Sequence, residues 1–242
     1  MKVGIIQSNY IPWKGYFDFI DDVDLFVFHD DLQYTKGDWR NRNKIKTETG
    51  TIWLSVPVKY HNHSQLIMET EIDNSQHWQQ KHLNQIKENY HKAQFFDEIY
   101  TEYESILQNK FDTISELNVS LIKWMLKKLK INTPVMMSSE LKPVGSKTER
   151  LIDLLTKLRA SVYLSGPSAV SYLDYSKFRE AGIGLEYKSY EYKEYKQLFG
   201  SFVESISILD LVFNQGLNVR EYFKSLSKNE IVIKTKRMEF AA

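Results

Sequence analysis

Three observations on this 242-residue chain predict an α/β fold of three layers around a largely parallel, nucleotide-binding-like sheet. Short apolar runs of strand length stop abruptly at polar clusters, as buried parallel strands do at a ligand-binding edge. Strand, helix and strand patterns alternate in the C-terminal half, which is how a βαβ unit reads. No repeat, low-complexity linker or break in composition divides the chain. Residues 1–242 therefore read as a single α/β domain, with a helical insertion at 76–130.

The first strand is 3–6 (VGII), ending at Gln7-Ser8-Asn9; a helix follows from Lys14-Gly15-Tyr16-Phe17. The second is 25–28 (LFVF), ending at His29-Asp30-Asp31. Residues 51–58 (TIWLSVPV) alternate with β-branched and aromatic side chains and predict a third strand. Ser75 can cap a helix through Trp78, Leu83, Ile86 and Tyr90, spaced for one apolar face. Further helices are expected through Tyr103, Ile106 and Leu107, and over 114–129. Strands are expected at 134–138 (PVMMS), 161–164 and, as the last, 185–188. A helix through Leu151, Leu154 and Leu158 lies between the first two of these, opened by Ser146-Lys147-Thr148-Glu149. Closing helices at 205–213 and 219–226 precede a frayed tail at 234–242.

Composition bounds the function. Hydrophobic residues at 42% and charged residues at 26% are ordinary globular usage. The 32 basic and 31 acidic residues nearly cancel, which removes a strong electrostatic footprint for nonspecific nucleic-acid binding. The absence of cysteine excludes disulfides, thiolate nucleophiles and zinc–thiolate sites. No apolar run approaches the roughly 18 residues of a membrane span, and the opening run is too short for a signal peptide. The expectation is a cytoplasmic protein without a membrane span.

Three clusters carry the chemistry. The strand-to-helix loop with Gln7, Asn9, Tyr10, Trp13 and Gly15 points backbone N–H groups above the sheet, where a phosphate or carboxylate fits. It lacks the spaced glycines of dinucleotide or P-loop motifs. His29, Asp30 and Asp31 are the acid/base candidates, because histidine beside carboxylates titrates near neutrality. Alternation puts His29 and Asp31 on one side and Asp30 on the other. Asp30 and Asp31 could alternatively hold Mg²⁺. Gln33, Tyr34, Trp39, Arg40, Asn41, Arg42 and Asn43 follow, pairing two guanidiniums suited to phosphate with carboxamides suited to sugar hydroxyls. Lys147, Ser165, Gly166 and Ser168 belong to the same sheet edge if the strands are parallel. The remaining histidines have no metal-ligand spacing, and Ser168 lies in no nucleophile elbow.

The chain resembles the WbqC-like proteins in Gln7-Ser8-Asn9-Tyr10-Ile11-Pro12-Trp13-Lys14-Gly15-Tyr16, His29-Asp30-Asp31-Leu32-Gln33-Tyr34, Trp39-Arg40-Asn41-Arg42-Asn43 and Trp53-Leu54-Ser55-Val56-Pro57-Val58. Ser138-Ser139-Glu140-Leu141, Lys147-Thr148-Glu149-Arg150-Leu151, Ser165-Gly166-Pro167-Ser168 and Ser207-Ile208-Leu209-Asp210-Leu211 continue it in order. Ser8 stands where the family pattern more often carries proline. His82 matches a family position, which makes it a substrate-contact candidate. The resemblance implies a cytoplasmic enzyme of bacterial surface-polysaccharide (O-antigen type) biosynthesis that modifies an amino sugar. Its partners would be a nucleotide-linked sugar and a small activated donor of an acyl or aminoacyl group such as glycine. The alternatives are a nucleotide- and Mg²⁺-dependent ligase or nucleotidyltransferase, and a noncatalytic sugar-nucleotide-binding module.

Overall fold

The structure is a computed structural model that describes residues 1–235. Its central sheet has six strands, β1 (Lys2–Ile6), β2 (Leu25–Phe28), β5 (Val135–Met137), β6 (Val162–Ser165), β7 (Gly184–Tyr187) and β8 (Glu230–Ile233). Their order is β5-β2-β1-β6-β7-β8, parallel throughout except for β8, which runs antiparallel to β7. From β1 the chain moves outward to β2 and β5, then returns to the other side of β1 for β6 and β7. The carboxyl ends of β1, β2 and β6 therefore share one edge, and the order reverses beside β1. Ligands of open α/β sheets bind at such a reversal.

Alternation along the strands sorts the core into two faces. Val3, Ile5 and Val27 pack with Leu151, Leu154 and Leu155 of α5 (Lys147–Lys157) and Phe178 of α6 (Tyr175–Glu180). Phe26 and Phe28 face the larger cluster, with Phe17 and Phe19 of α1 (Lys14–Asp21). The same cluster takes in α2 (Trp78–Tyr90), α3 (Phe96–Leu107), α4 (Ile114–Lys128) and α7 (Ile208–Gln215). Gly4 is required here: a Cβ on it would stand 2.4 Å from the Phe19 ring. Helix α4 starts at a capping box, in which the Thr113 hydroxyl accepts from Glu116 N and the Glu116 carboxylate accepts from Thr113 N. That start fixes Ser115 and Asn118 one turn apart on the same helix face.

The structure corrects several expectations. The strand expected at 51–58 is β4 (Gly50–Ser55), and it pairs antiparallel with β3 (Arg42–Thr47) in a hairpin separate from the main sheet. Strand β3 escapes a hydropathy reading because only Ile45 is apolar along it, while Arg42, Lys44 and Lys46 alternate on its other face. Strand β7 is not the last, since β8 closes the sheet edge. Ser75 does not cap α2; it lies in a preceding 3₁₀ turn capped by Asp73, and α2 begins after His77 in the left-handed region. The last helix, α8, covers only Arg220–Phe223. Most of the tail expected to fray lies outside the described residues, and Thr235 at its start is buried. Among the described residues no helix is long and apolar enough to cross a membrane.

Candidate functional site

The acidic cluster at the end of β2 divides as strand alternation requires. Asp30 is fully buried, and its carboxylate accepts from Ser8 N at 2.7 Å, Ser8 Oγ at 2.6 Å and the Ser115 hydroxyl. Asn118 adds a donor to Ser8 Oγ at 3.3 Å and binds Arg40 O at 2.8 Å. Asp30 thus ties the β1 loop and helix α4 together. Ser8 supplies two of these donors, its hydroxyl and its backbone N–H, and a proline there would lack the second.

Asp31 turns to other partners. Its carboxylate takes the Arg150 guanidinium at 2.5 Å and the Ser138 hydroxyl, from the first turn of α5 and the end of β5. His29 Nε2 lies 3.7 Å from Asp31 and accepts from Arg150 Nε at 3.4 Å. Burial lowers the His29 pKa to about 4, outweighing the opposing pull of Asp31, and the neighbouring Arg150 charge adds a smaller lowering effect. The near-neutral titration expected for His29 is therefore corrected: desolvation wins over the adjacent carboxylate. Neither aspartate leaves its carboxylate free, and their donors come from different directions. Among the described residues, no group of three or more His, Asp or Glu side chains is placed to hold a metal ion.

The β1–α1 loop has another character. Ile11 adopts φ 36°, an outlying conformation for a β-branched residue that also precedes proline. Asn43 Nδ2 holds this turn by donating to Tyr10 O at 3.1 Å and Ile11 O at 2.9 Å, while Tyr10 N donates to Trp39 O at 3.0 Å. Strain kept this way marks a functional candidate. Beside the turn is a cavity of about 270 Å³ lined by Asn9, Pro12, Trp13, Trp39, Asn43 and Ser205. The Asn9 Oδ1 atom is buried without a partner. Gly15 leaves room for the Trp13 indole, because a Cβ there would approach it to 2.3 Å. Tyr190 backs Trp13, with ring centroids 5.1 Å apart. Beneath this wall Lys14 is almost fully buried, its ammonium 4.7 Å from the Tyr192 ring centroid, and burial lowers its pKa to about 8.

Following β2, the chain gathers buried donors that lack acceptors. Among the described residues, Tyr34 Oη, Arg40 Nε and Arg42 Nε have no partner, nor does Asn41 Oδ1. Arg40 forms an ion pair through Nη2 with the partly exposed Asp38 carboxylate, 3.6 Å away, which leaves its Nε free of it. The Tyr34 pKa rises to about 12 through burial and then Asp38, opposed by Arg42 and Arg40, so both guanidiniums lie within its electrostatic reach. Buried polar groups are rarely left so. Donors without acceptors, two of them on cations, suit an anion.

The other sequence candidates are placed as follows. Tyr10 and His82 are in the core: the Tyr10 hydroxyl donates to His82 Nδ1 at 2.9 Å, and His82 Nε2 donates to Ser55 O at 3.2 Å. Burial lowers the His82 pKa to about 4. Gln7 gives its backbone carbonyl to the Tyr16 hydroxyl at 3.0 Å, and Gln33 is exposed. Lys147 lines a separate depression with Thr148, Tyr172 and Asp174. Ser165 ends β6 and is buried, and Gly166 and the exposed Ser168 follow it at the same edge. None of these lines the cavity beside Trp13. Sequence reasoning passed over Ser115, Asn118, Ser138, Arg150 and Ser205. Of these, Ser138 and Arg150 stood inside recognised motifs, Arg150 in what looked like an ordinary helix start.

The sequence profile of the WbqC-like protein family matches residues 7–222. An uncharacterized protein of Mycobacterium tuberculosis, Rv1507c, is 43% identical over 226 residues, covering 92% of this chain and 97% of its own length. No solved structure matches this chain. With the profile spanning the strand-end clusters, the strained loop and the helices that hold them, the chain belongs to the WbqC-like protein family.

Proposed function

We propose that this protein binds a nucleotide-linked amino sugar and transfers an acyl or aminoacyl group to it, in surface-polysaccharide biosynthesis. The observation that carries this reading is the set of buried, unpartnered donors Tyr34 Oη, Arg40 Nε and Arg42 Nε, in the same stretch of chain as Trp39 and Asn43, which line the cavity. A diphosphate accepts from all three, and charge-assisted bonds of this kind are among the strongest available. The cavity suits the sugar ring. Tryptophan faces pack on its C–H surface, Asn9 Oδ1 accepts from an amine or hydroxyl, and Ser205 offers a second polar contact. With no cysteine in the chain, direct attack of the sugar amine on an activated donor is simpler than a covalent enzyme intermediate.

One observation favours a second reading, a sugar-nucleotide-binding module without catalysis. His29, Asp30 and Asp31, the acid/base candidates, are occupied by Arg150, Ser8, Ser115 and Ser138. The same occupancy weakens the Mg²⁺-dependent ligase reading, whose two carboxylates would have to leave those donors. Calorimetry with a uridine-diphosphate amino sugar tests the binding: Arg40→Ala with Arg42→Ala should weaken it at least about tenfold, since each charge-assisted bond contributes about 1.5–3 kcal/mol. Unchanged affinity would remove both residues from the site. Mass spectrometry of the sugar nucleotide after incubation with activated glycine separates the two readings, because only the transferase adds mass to the sugar.

A further inference from the structure

Trp39 and Trp53 are 40% and 39% exposed, unusual for the largest apolar side chain. Their ring centroids are 5.4 Å apart at 44°. The Arg42 guanidinium lies 4.3 Å from the Trp53 ring centroid and the Lys44 ammonium 4.9 Å from it. Register explains the grouping: Arg42 and Lys44 share the outward face of β3, opposite Ser55 and Trp53 of β4, while Asn43 and Ile45 turn inward opposite Leu54 and Ile52. We propose that this outward face, Trp53 with Trp39, Arg42 and Lys44, is a platform on which the base of a nucleoside diphosphate stacks.

The proposal rests on the phosphate reading above and names what lies beyond the phosphates. Two features make the patch more than a self-contained surface cluster. Arg42 stacks on Trp53 yet keeps its buried Nε unpartnered, so one side chain touches the ring and offers a donor to an anion. Trp39 lines the cavity and also meets Trp53, so the platform continues from the cavity without a break. In this assignment the cavity takes the sugar, Tyr34, Arg40 and Arg42 the diphosphate, and the tryptophans the base. A flat π surface flanked by cations fits a nucleobase better than a second sugar ring, which would call for carboxamide or carboxylate partners of the kind found at Asn9 and Asn43.

The full chain, titrated by calorimetry and tryptophan fluorescence with uridine diphosphate, adenosine diphosphate, inorganic pyrophosphate and N-acetylglucosamine, tests this. Both nucleotides should quench fluorescence and bind about tenfold more tightly than pyrophosphate, the scale on which base stacking on an aromatic acts. Trp53→Ala should erase that advantage, weakening the two nucleotides far more than pyrophosphate, whereas Trp53→Phe should keep most of it. Equal wild-type affinity for nucleotide and pyrophosphate overturns the platform and leaves the phosphate site standing. So does a Trp53→Ala variant that weakens every probe alike, or N-acetylglucosamine alone. If neither nucleotide nor pyrophosphate binds, the platform and the phosphate reading fall together.

Discussion

The cluster at His29, Asp30 and Asp31 and the stretch from Tyr34 to Asn43 are close neighbours in the chain and equally rich in polar side chains, yet they differ in whether those side chains are satisfied. In the first, both carboxylates are taken: Asp30 by Ser8 and Ser115, Asp31 by Arg150 and Ser138. In the second, Tyr34, Arg40, Asn41 and Arg42 each keep a buried polar atom without a partner. Both regions look equally chemical on paper. A satisfied buried network holds a fold together, while an unsatisfied one carries a cost that a ligand can remove. The comparison therefore moves the weight of the site from the acids to the cations and aromatics that follow them.

The largest expected effect is on the satisfied side. Asp30→Ala leaves Ser8 N, Ser8 Oγ and the Ser115 hydroxyl without an acceptor, so urea unfolding should show a loss of about 3–5 kcal/mol. Retained stability would break the comparison at its base. Next comes acid. His29 and His82 have folded pKa values lowered to about 4, while an unfolded histidine titrates near 6.5. Below that value the unfolded chain binds more protons, so their contribution to stability is intact above pH 6.5 and is lost as pH falls toward 4. Urea midpoints at pH 7, 6 and 5 should decline in that order, and His82→Gln should flatten the decline.

Arg150→Ala should act more locally. Arg150 lowers the His29 pKa while Asp31 raises it, so without the guanidinium the freed carboxylate should draw the imidazole pKa upward. An NMR titration of His29 reads this directly; a value still near 4 would leave burial as the whole cause. The smallest effect should be that of Tyr34→Phe. Its hydroxyl has no partner to lose, so stability should stay within about 0.5 kcal/mol of wild type or rise slightly. Phosphate-dependent binding should nonetheless weaken. A clear loss of stability would mean that the hydroxyl is satisfied in the free protein and that the contrast is false there.

Much of the fold was legible because the signals for it are local. Val3 to Ile6 and Leu25 to Phe28 have the length and apolarity of buried strands, and their common edge follows from parallel pairing. Strand β3 was not legible, because its cations find tertiary partners that no local pattern announces: Arg42 and Lys44 pack on the Trp53 ring, and Lys46 is buried, donating to Gln197 and Ser201. In the site, the loop from Asn9 to Gly15 and the run from Trp39 to Asn43 could be singled out by residue type alone, and their two tryptophans and two of their three carboxamides, Asn9 and Asn43, do line one cavity. What residue type could not report is satisfaction. Ser115 reaches Asp30 across 85 positions and Arg150 reaches Asp31 across 119. Hydrogen bonds over such separations are made by packing helices α4 and α5 against the sheet, and no local pattern encodes which donor will arrive. By itself the sequence determined which residues could do chemistry and at which strand ends they stand. Only the tertiary structure decided which of them are already occupied, because occupancy depends on atoms contributed by distant segments.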